Sequence, residues 1–161
     1  MSDIKNRNQI DDSMQLGYTF EMKNDYVGAC TEWGKTWKYI VSAMDTGHYN
    51  SIEDFDEDFD GTQCVFNWAS DYEMELNNAM MDDRSFAQIR IDYCTEYLKR
   101  VSKKDGLNCI NIRRAIAETY YQAILSNLFN GFKKQFGWKD ACYSYFKCEI
   151  VLCIYQLITT T

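Results

Sequence analysis

This sequence predicts an all-α protein of stacked antiparallel helical hairpins, about six to seven helices in a single domain over residues 1–161. Three observations carry that expectation. Apolar residues recur at three-and-four spacing along most of the chain, the signature of helices with one buried face. No long alternation of apolar and polar residues marks a half-buried strand. The 161 residues are 46% hydrophobic and contain no proline, which excludes a disordered chain and tells against Pro-rich linkers and cis-Pro turns.

Taken in order, Met14, Leu16, Tyr18 and Phe20 follow the candidate N-caps Asp11, Asp12 and Ser13, so the first helix is expected over about 11–23. Asn24 and Asp25 punctuate, and the Asp25 carboxylate can cap a second helix. Its Tyr26, Ala29, Cys30, Trp33, Trp37, Ile40, Val41 and Met44 form one wide apolar face, and Thr46-Gly47 ends it. Residues 47–61 break the pattern with an acid-rich stretch, read as an inter-helix loop. Thr62 can cap a third helix whose apolar positions are Val65, Phe66, Ala69, Tyr72, Met74, Leu76 and Met80.

A fourth helix opens near Asp83 or Ser85, where Phe86, Ile89, Tyr93, Tyr97 and Val101 make a stripe widened by Ile91, Cys94 and Leu98. Residues 102–106 read as a turn, with cations near the preceding C-terminus, where the helix dipole favours them. Asn108 can cap a fifth helix carrying Ile112, Ala115, Ile116, Thr119 and Tyr120. Beyond Gln122 two more helices are expected, separated near Gly137, although Val151, Ile154 and Tyr155 also favour extended structure.

Within the first two helices Leu16, Gly17, Phe20, Tyr26, Ala29 and Trp33 sit at the offsets of a tetratricopeptide helix pair. The reason is packing: small residues at 17 and 29 let two antiparallel helices approach, and large ones fill the surrounding space. Ile116, Ala117 and Tyr120 repeat the first half of this pattern. Several stretches, 25–33 (DYVGACTEW), 56–61 (DEDFDG), 64–68 (CVFNW) with 73–76 (EMEL), 90–94 (RIDYC) and 113–120 (RRAIAETY), resemble uncharacterised bacterial proteins with a tetratricopeptide-like helical body. Such proteins often carry a C-terminal SEC-C zinc motif. The resemblance spans about residues 10–122 and implies a helical body, with 123–161 as divergent C-terminal helices. The zinc motif needs a C-x-C pair followed by a further C-C or C-H pair, and this chain has neither.

The net charge of −7 conceals a division. Residues 1–83 hold 18 acidic and 5 basic side chains, a net of −13, while residues 84–161 hold 6 and 12, a net of +6. The leading explanation is internal complementarity, within one chain or head-to-tail between copies. Six of the acids, Glu53, Asp54, Asp56, Glu57, Asp58 and Asp60, fall within eight residues and are the candidate partner-binding surface. Asp56, Asp58 and Asp60 followed by Gly61 also match the first half of a calcium-binding loop, but its twelfth position, which needs a bidentate Glu, is Asn67. A solvated acidic face is the competing explanation.

The seven cysteines (Cys30, Cys64, Cys94, Cys109, Cys142, Cys148 and Cys153) are odd in number and widely spread, and residues 1–12 are polar. Reduced, mostly buried thiols in a cytoplasmic protein are therefore expected. The most apolar run, residues 150–158, is far shorter than the ~20 residues of a membrane span. It is a candidate surface for a homodimer. His48, the single histidine, has no motif context for catalysis or zinc, and nucleophile elbows, P-loops and dinucleotide fingerprints are absent from the sequence.

No enzyme and no cofactor are expected, and the acidic chain would repel a phosphate backbone. Trp33, Trp37 and Trp68 lie on apolar stripes and belong to the core, while tyrosines are better placed to recognise a partner. The first reading is a non-catalytic helical-repeat module that binds a protein or peptide partner. The alternative is a small acidic phage-type inhibitor, anti-CRISPR-like, whose residues 53–60, with Asp82 and Asp83, would stand in for nucleic-acid phosphates on a defence enzyme.

Overall fold

A computed structural model describes residues 6–101 and 106–136, with side chains through residue 124. Among the described residues it is all-α: α1 (Arg7–Glu21), α2 (Tyr26–Gly47), α3 (Ile52–Phe59), α4 (Val65–Asp82), α5 (Phe86–Arg100) and α6 (Gly106–Phe136), with no strand. The chain divides into two compact units, Met1–Ile116 and Ala117–Thr161. The sites discussed below lie in the first unit. The expected break near Gly137, the extended tendency at Val151, Ile154 and Tyr155, the apolar run 150–158 and Cys142, Cys148 and Cys153 lie outside the described residues.

α1 begins earlier than its cap-like residues predict, at Arg7 behind a left-handed Asn6. Asp11 and Ser13 are inside the helix because tertiary hydrogen bonds claim their side chains. Asp11 accepts from the Thr62 amide at 2.9 Å and from its hydroxyl at 2.7 Å. Ser13, buried, donates to Glu32 at 2.7 Å and accepts from the Thr36 hydroxyl at 2.8 Å. α2 follows the sequence closely: Asp25 caps it by accepting from the Gly28 amide at 2.8 Å, and His48 closes it in the left-handed conformation just after Gly47.

The two helices run antiparallel, with Ser13 opposite Thr36 and Gly17 opposite Trp33. Trp33 is fully buried and donates its indole N–H to the Met14 carbonyl at 3.0 Å. The ring lies directly over Gly17, where a Cβ would sit 1.9 Å from Nε1.

The acid run corrects the expectation of a loop. Residues 52–59 form a helix whose Ser51 cap accepts from the Asp54 amide at 3.1 Å, and whose Glu53 and Asp54 stabilise the positive end of the dipole. Ile52, Phe55 and Phe59 make a buried face one residue wide per turn, and Asp60 ends the helix in the left-handed region. Thr62 does not cap α4, since its side chain is bonded to Asp11. Cys64 is the cap residue and makes no side-chain cap bond. Asp56 of α3 takes over that role, accepting the Val65 amide at 2.6 Å and the Cys64 thiol at 2.5 Å.

α4 and α5 form the second hairpin. Arg90, almost wholly buried on α5, donates through Nε and Nη2 to Glu73 Oε1 at 2.8 and 2.5 Å, and through Nη1 to Asn77 at 2.9 Å. The Tyr93 hydroxyl donates to the Ala69 carbonyl at 2.6 Å. α2 and α5 run parallel, since Trp37 meets Tyr93 and, further along both helices, Asp45 meets Arg100 at 2.8 Å.

Asn108 is not a cap but an α6 residue that donates to the Tyr97 hydroxyl at 2.8 Å. Ile112 and Ala115 close the core of the first unit. α6 continues through Gln122 to Phe136 without the expected break. The two ion pairs Arg90–Glu73 and Arg100–Asp45 join the basic half of the sequence to the acidic half, as internal complementarity requires.

An exposed helical Gly→Ala change gains about 1 kcal/mol, so Gly17→Ala tests the α1–α2 interlock by sign. The expected result is a loss of about 1–3 kcal/mol from overpacking, read as a lowered urea midpoint.

Candidate functional site

A groove runs along the first unit between the parallel helices α2 and α5. On α2 the residues Cys30, Gly34, Trp37 and Val41 recur at four-three-four spacing along its inner edge. Thr31, Lys35, Lys38 and Ser42 form the rim one position over. On α5, Phe86, Ile89, Tyr93 and Glu96 repeat the same three-and-four spacing. Trp37, Lys38 and Glu96 line both stretches of the groove, the larger about 640 Å³ and the smaller about 440 Å³, so the two are continuous.

The floor is aromatic because α4 lies beneath. Tyr72 of α4 meets Tyr93 with ring centroids 4.5 Å apart, and Tyr93 meets Trp37 edge-on at 5.0 Å. Tyr72 in turn stacks on Trp68 at 5.6 Å, and Trp33 stands edge-on to both. This column fixes the groove walls, since each ring holds the next in place, and such pairs add about 0.5–1.5 kcal/mol each beyond their buried area. Ile89 is 42% exposed although the sequence places it on the α5 core stripe. Trp37 is buried as that spacing predicts, at 7% exposure.

Along the larger stretch the rims carry opposite charge, whereas in the smaller one Asp45 of α2 is paired with Arg100 of α5 at 2.8 Å. Lys35 and Lys38 stand on α2, and Asp92 and Glu96 on α5. Lys35 pairs with Glu32 of its own helix at 2.6 Å, and Glu96 with Lys99 and Arg100 of its own helix, both at 2.8 Å. Asp92 accepts from Gln88, also on α5, at 2.8 Å. Among the described residues none of the four pairs across the groove. The hydrogen bond from Lys35, with that from Ser13, holds the Glu32 carboxyl below its usual range; Lys99 and Arg100 do the same for Glu96.

At the floor, Tyr72 is 2% exposed and its hydroxyl lies 3.2 Å from where a Cβ on Gly34 would stand. Burial first, and then the neighbouring Cys30 and Cys94, push its ionisation well above the ordinary tyrosine value, so it is a neutral hydroxyl. It makes no hydrogen bond among the described residues.

The acid run picked out from sequence has a different environment. Asp56 points at the start of α4, Asp58 accepts from the Tyr49 hydroxyl at 2.9 Å, and Asp60 is exposed at the end of α3. On a helix, positions 56 and 58 face apart, so the three carboxylates do not surround one point. Among the described residues no three His, Cys, Asp or Glu side chains are grouped to hold a metal ion. Glu53, Asp54, Glu57 and Asp58 lie along the α3 face opposite Phe55 and Phe59.

Cys30, Cys64, Cys94 and Cys109 are free thiols. Burial, with the nearby Glu75 carboxylate, pushes the Cys30 thiol up to about 12; burial and Glu73 do the same for Cys94. Neither is a nucleophile at neutral pH.

The groove was not legible as a site. Its lining shares the spacing of core stripes, and only the pairing of α2 with α5 leaves it open. No helix among the described residues is long and apolar enough to cross a membrane. No family model, curated protein or solved structure matches the chain.

Two measurements check these assignments. Asp56→Ala removes the remote cap of α4 and is expected to lower stability by about 1 kcal/mol, within the 0.5–2 range of cap losses, whereas Glu57→Ala on the exposed face stays within about 0.5 kcal/mol. Iodoacetamide at about pH 8, followed by peptide mass spectrometry, is expected to leave Cys30 and Cys94 unmodified in the folded protein and to label both in urea.

Proposed function

We propose that the chain is a non-catalytic helical module that binds a protein or peptide partner in the groove between α2 and α5. The single observation that carries this reading is the groove itself: a rigid aromatic floor, an exposed Ile89 and charged rims on two parallel helices. Aromatic rings with apolar bodies and fixed orientations make strong anchor sites for a partner side chain. The close Gly17–Trp33 contact, with Ala29 buried on the same helix as Trp33, supports the tetratricopeptide-like ancestry read from residues 10–122. Free, buried thiols at Cys30 and Cys94 support a reducing, cytoplasmic setting.

The second reading, an acidic inhibitor that imitates nucleic acid, draws on one observation. Folding of residues 52–59 into α3 sets Glu53, Asp54, Glu57 and Asp58 on one helix face with Asp60 at its end. A row of carboxylates on a rigid helix can occupy a phosphate track. Asp58 is already engaged by Tyr49, however, and its carbonyl accepts from Arg7 at 3.1 Å, so part of that face is tied into the fold.

A photo-cross-linking residue placed at position 89 in one protein and at position 57 in another separates the two in host lysate. The module predicts adducts from position 89 that Ile89→Arg suppresses in competition. Adducts from position 57 alone, containing a nuclease, would reverse the order of the two readings.

A further inference from the structure

The groove has a length, a charge order and an unused hydroxyl, and together they describe what fits it. From Cys30 to Thr46 its α2 wall spans 17 residues, a rise of about 24 Å at 1.5 Å per residue. Both walls present side chains at three-and-four spacing, the arrangement of a helix that faces another helix. Such walls receive the ridges of a third helix lying along them; an extended strand, with its period of two, matches neither.

Along the stretch from Cys30 to Lys38 the charges differ in sign, with Lys35 and Lys38 on one side and Asp92 and Glu96 on the other and no pair between them among the described residues, whereas at the far end Asp45 of α2 is paired with Arg100 of α5 at 2.8 Å. Lys38 and Asp92 are exposed and in no ion pair among the described residues, so their fields are free to select the flanks of an occupant. Beneath the axis, Tyr72 lines the groove beside Gly34, and its hydroxyl has no hydrogen-bond partner among the described residues. That hydroxyl can donate to or accept from a polar group that an occupant delivers.

We infer that the groove receives one amphipathic α-helix of about four turns from a partner protein, with acidic residues on the flank beside Lys35 and Lys38, basic residues on the flank beside Asp92 and Glu96, and one polar side chain in its apolar face that hydrogen-bonds the Tyr72 hydroxyl. This rests on the module reading above and adds the partner's secondary structure, orientation and chemistry. Beside Lys38 and Asp92 the opposed charges favour one rotational setting of the helix, because exchanging the flanks there puts like charges together on both sides. The Tyr72 hydroxyl fixes the register in the way a single polar core position does in a coiled coil.

The test uses the full chain and synthetic 16-residue peptides, followed by fluorescence anisotropy. One carries Leu and Ile on its apolar face, a central Asn, Glu along the α2 flank and Lys along the α5 flank; a second exchanges the flanks; a third replaces two central residues by proline. The first is expected to bind at least about tenfold more tightly than the second, with the preference reversed in the double variant Lys38→Glu/Asp92→Lys and narrowed by added salt.

Tyr72→Phe, which keeps the ring and removes the hydroxyl, is expected to fold with unchanged or higher stability. It should abolish the advantage of Asn over Leu at the central position. Equal binding of the first two peptides, or equally tight binding of the proline peptide, overturns the inference, while loss of that binding in Ile89→Arg would leave the module reading standing. If no peptide binds and position 89 yields no cross-link, both fall.

Discussion

The indole of Trp33 lying on the bare backbone of Gly17 is the contact on which the rest of the first unit depends. It sets the distance between α1 and α2, and the N–H bond to Met14 fixes the ring's rotation. From that fixed ring the aromatic column extends through Trp68 and Tyr72 to Tyr93, Trp37 and Tyr97, so α4 and α5 are positioned by rings that can adopt few other arrangements. Edge-on and offset contacts are directional as well as apolar, which gives this core a unique packing that aliphatic residues would leave looser. The Trp68 indole N–H is buried without a partner among the described residues, a local loss accepted where shape dominates.

Polar groups then decide where the helices begin and how they cross. Asp11 reaches Thr62, Asp56 reaches Val65 and Cys64, and Tyr18 donates to Asp71 at 2.6 Å. Each bond ties one helix to the next rather than closing a helix on itself. The buried Arg90 fork adds a charged clasp between α4 and α5, and removing one partner of such a clasp is far more damaging than the pair is stabilising. The charge division of the sequence is thus consumed in part by the fold, with Arg90 and Arg100 meeting acids from the first half.

How far the sequence could be read depends on the range of the interaction. The α2 boundaries were legible because Asp25 caps locally and Gly47 and His48 end the helix locally. The α5 stripe was legible through Phe86, Tyr93, Tyr97 and Val101, all buried. α3 was not: with six acids in eight residues, the buried positions 52, 55 and 59 are too few to outweigh the composition. Ser13, Thr62 and Asn108 were read as caps because their side chains suit that role, yet each is engaged by a residue distant in sequence or on another helix. Ile89 shared the spacing of its buried neighbours and differs in being exposed at the groove, with no helix over it among the described residues.

By itself the sequence determined the helical class, the core tryptophans and the small-against-large contact between α1 and α2, since periodicity and side-chain volume act within a few turns. Only the tertiary structure decided that the acid run is a helix, that Asp56 caps α4 and that α2 and α5 run parallel with a groove between them. Those outcomes depend on groups brought together from far apart in the chain, and no local spacing encodes which partner a carboxylate or an exposed rim will find.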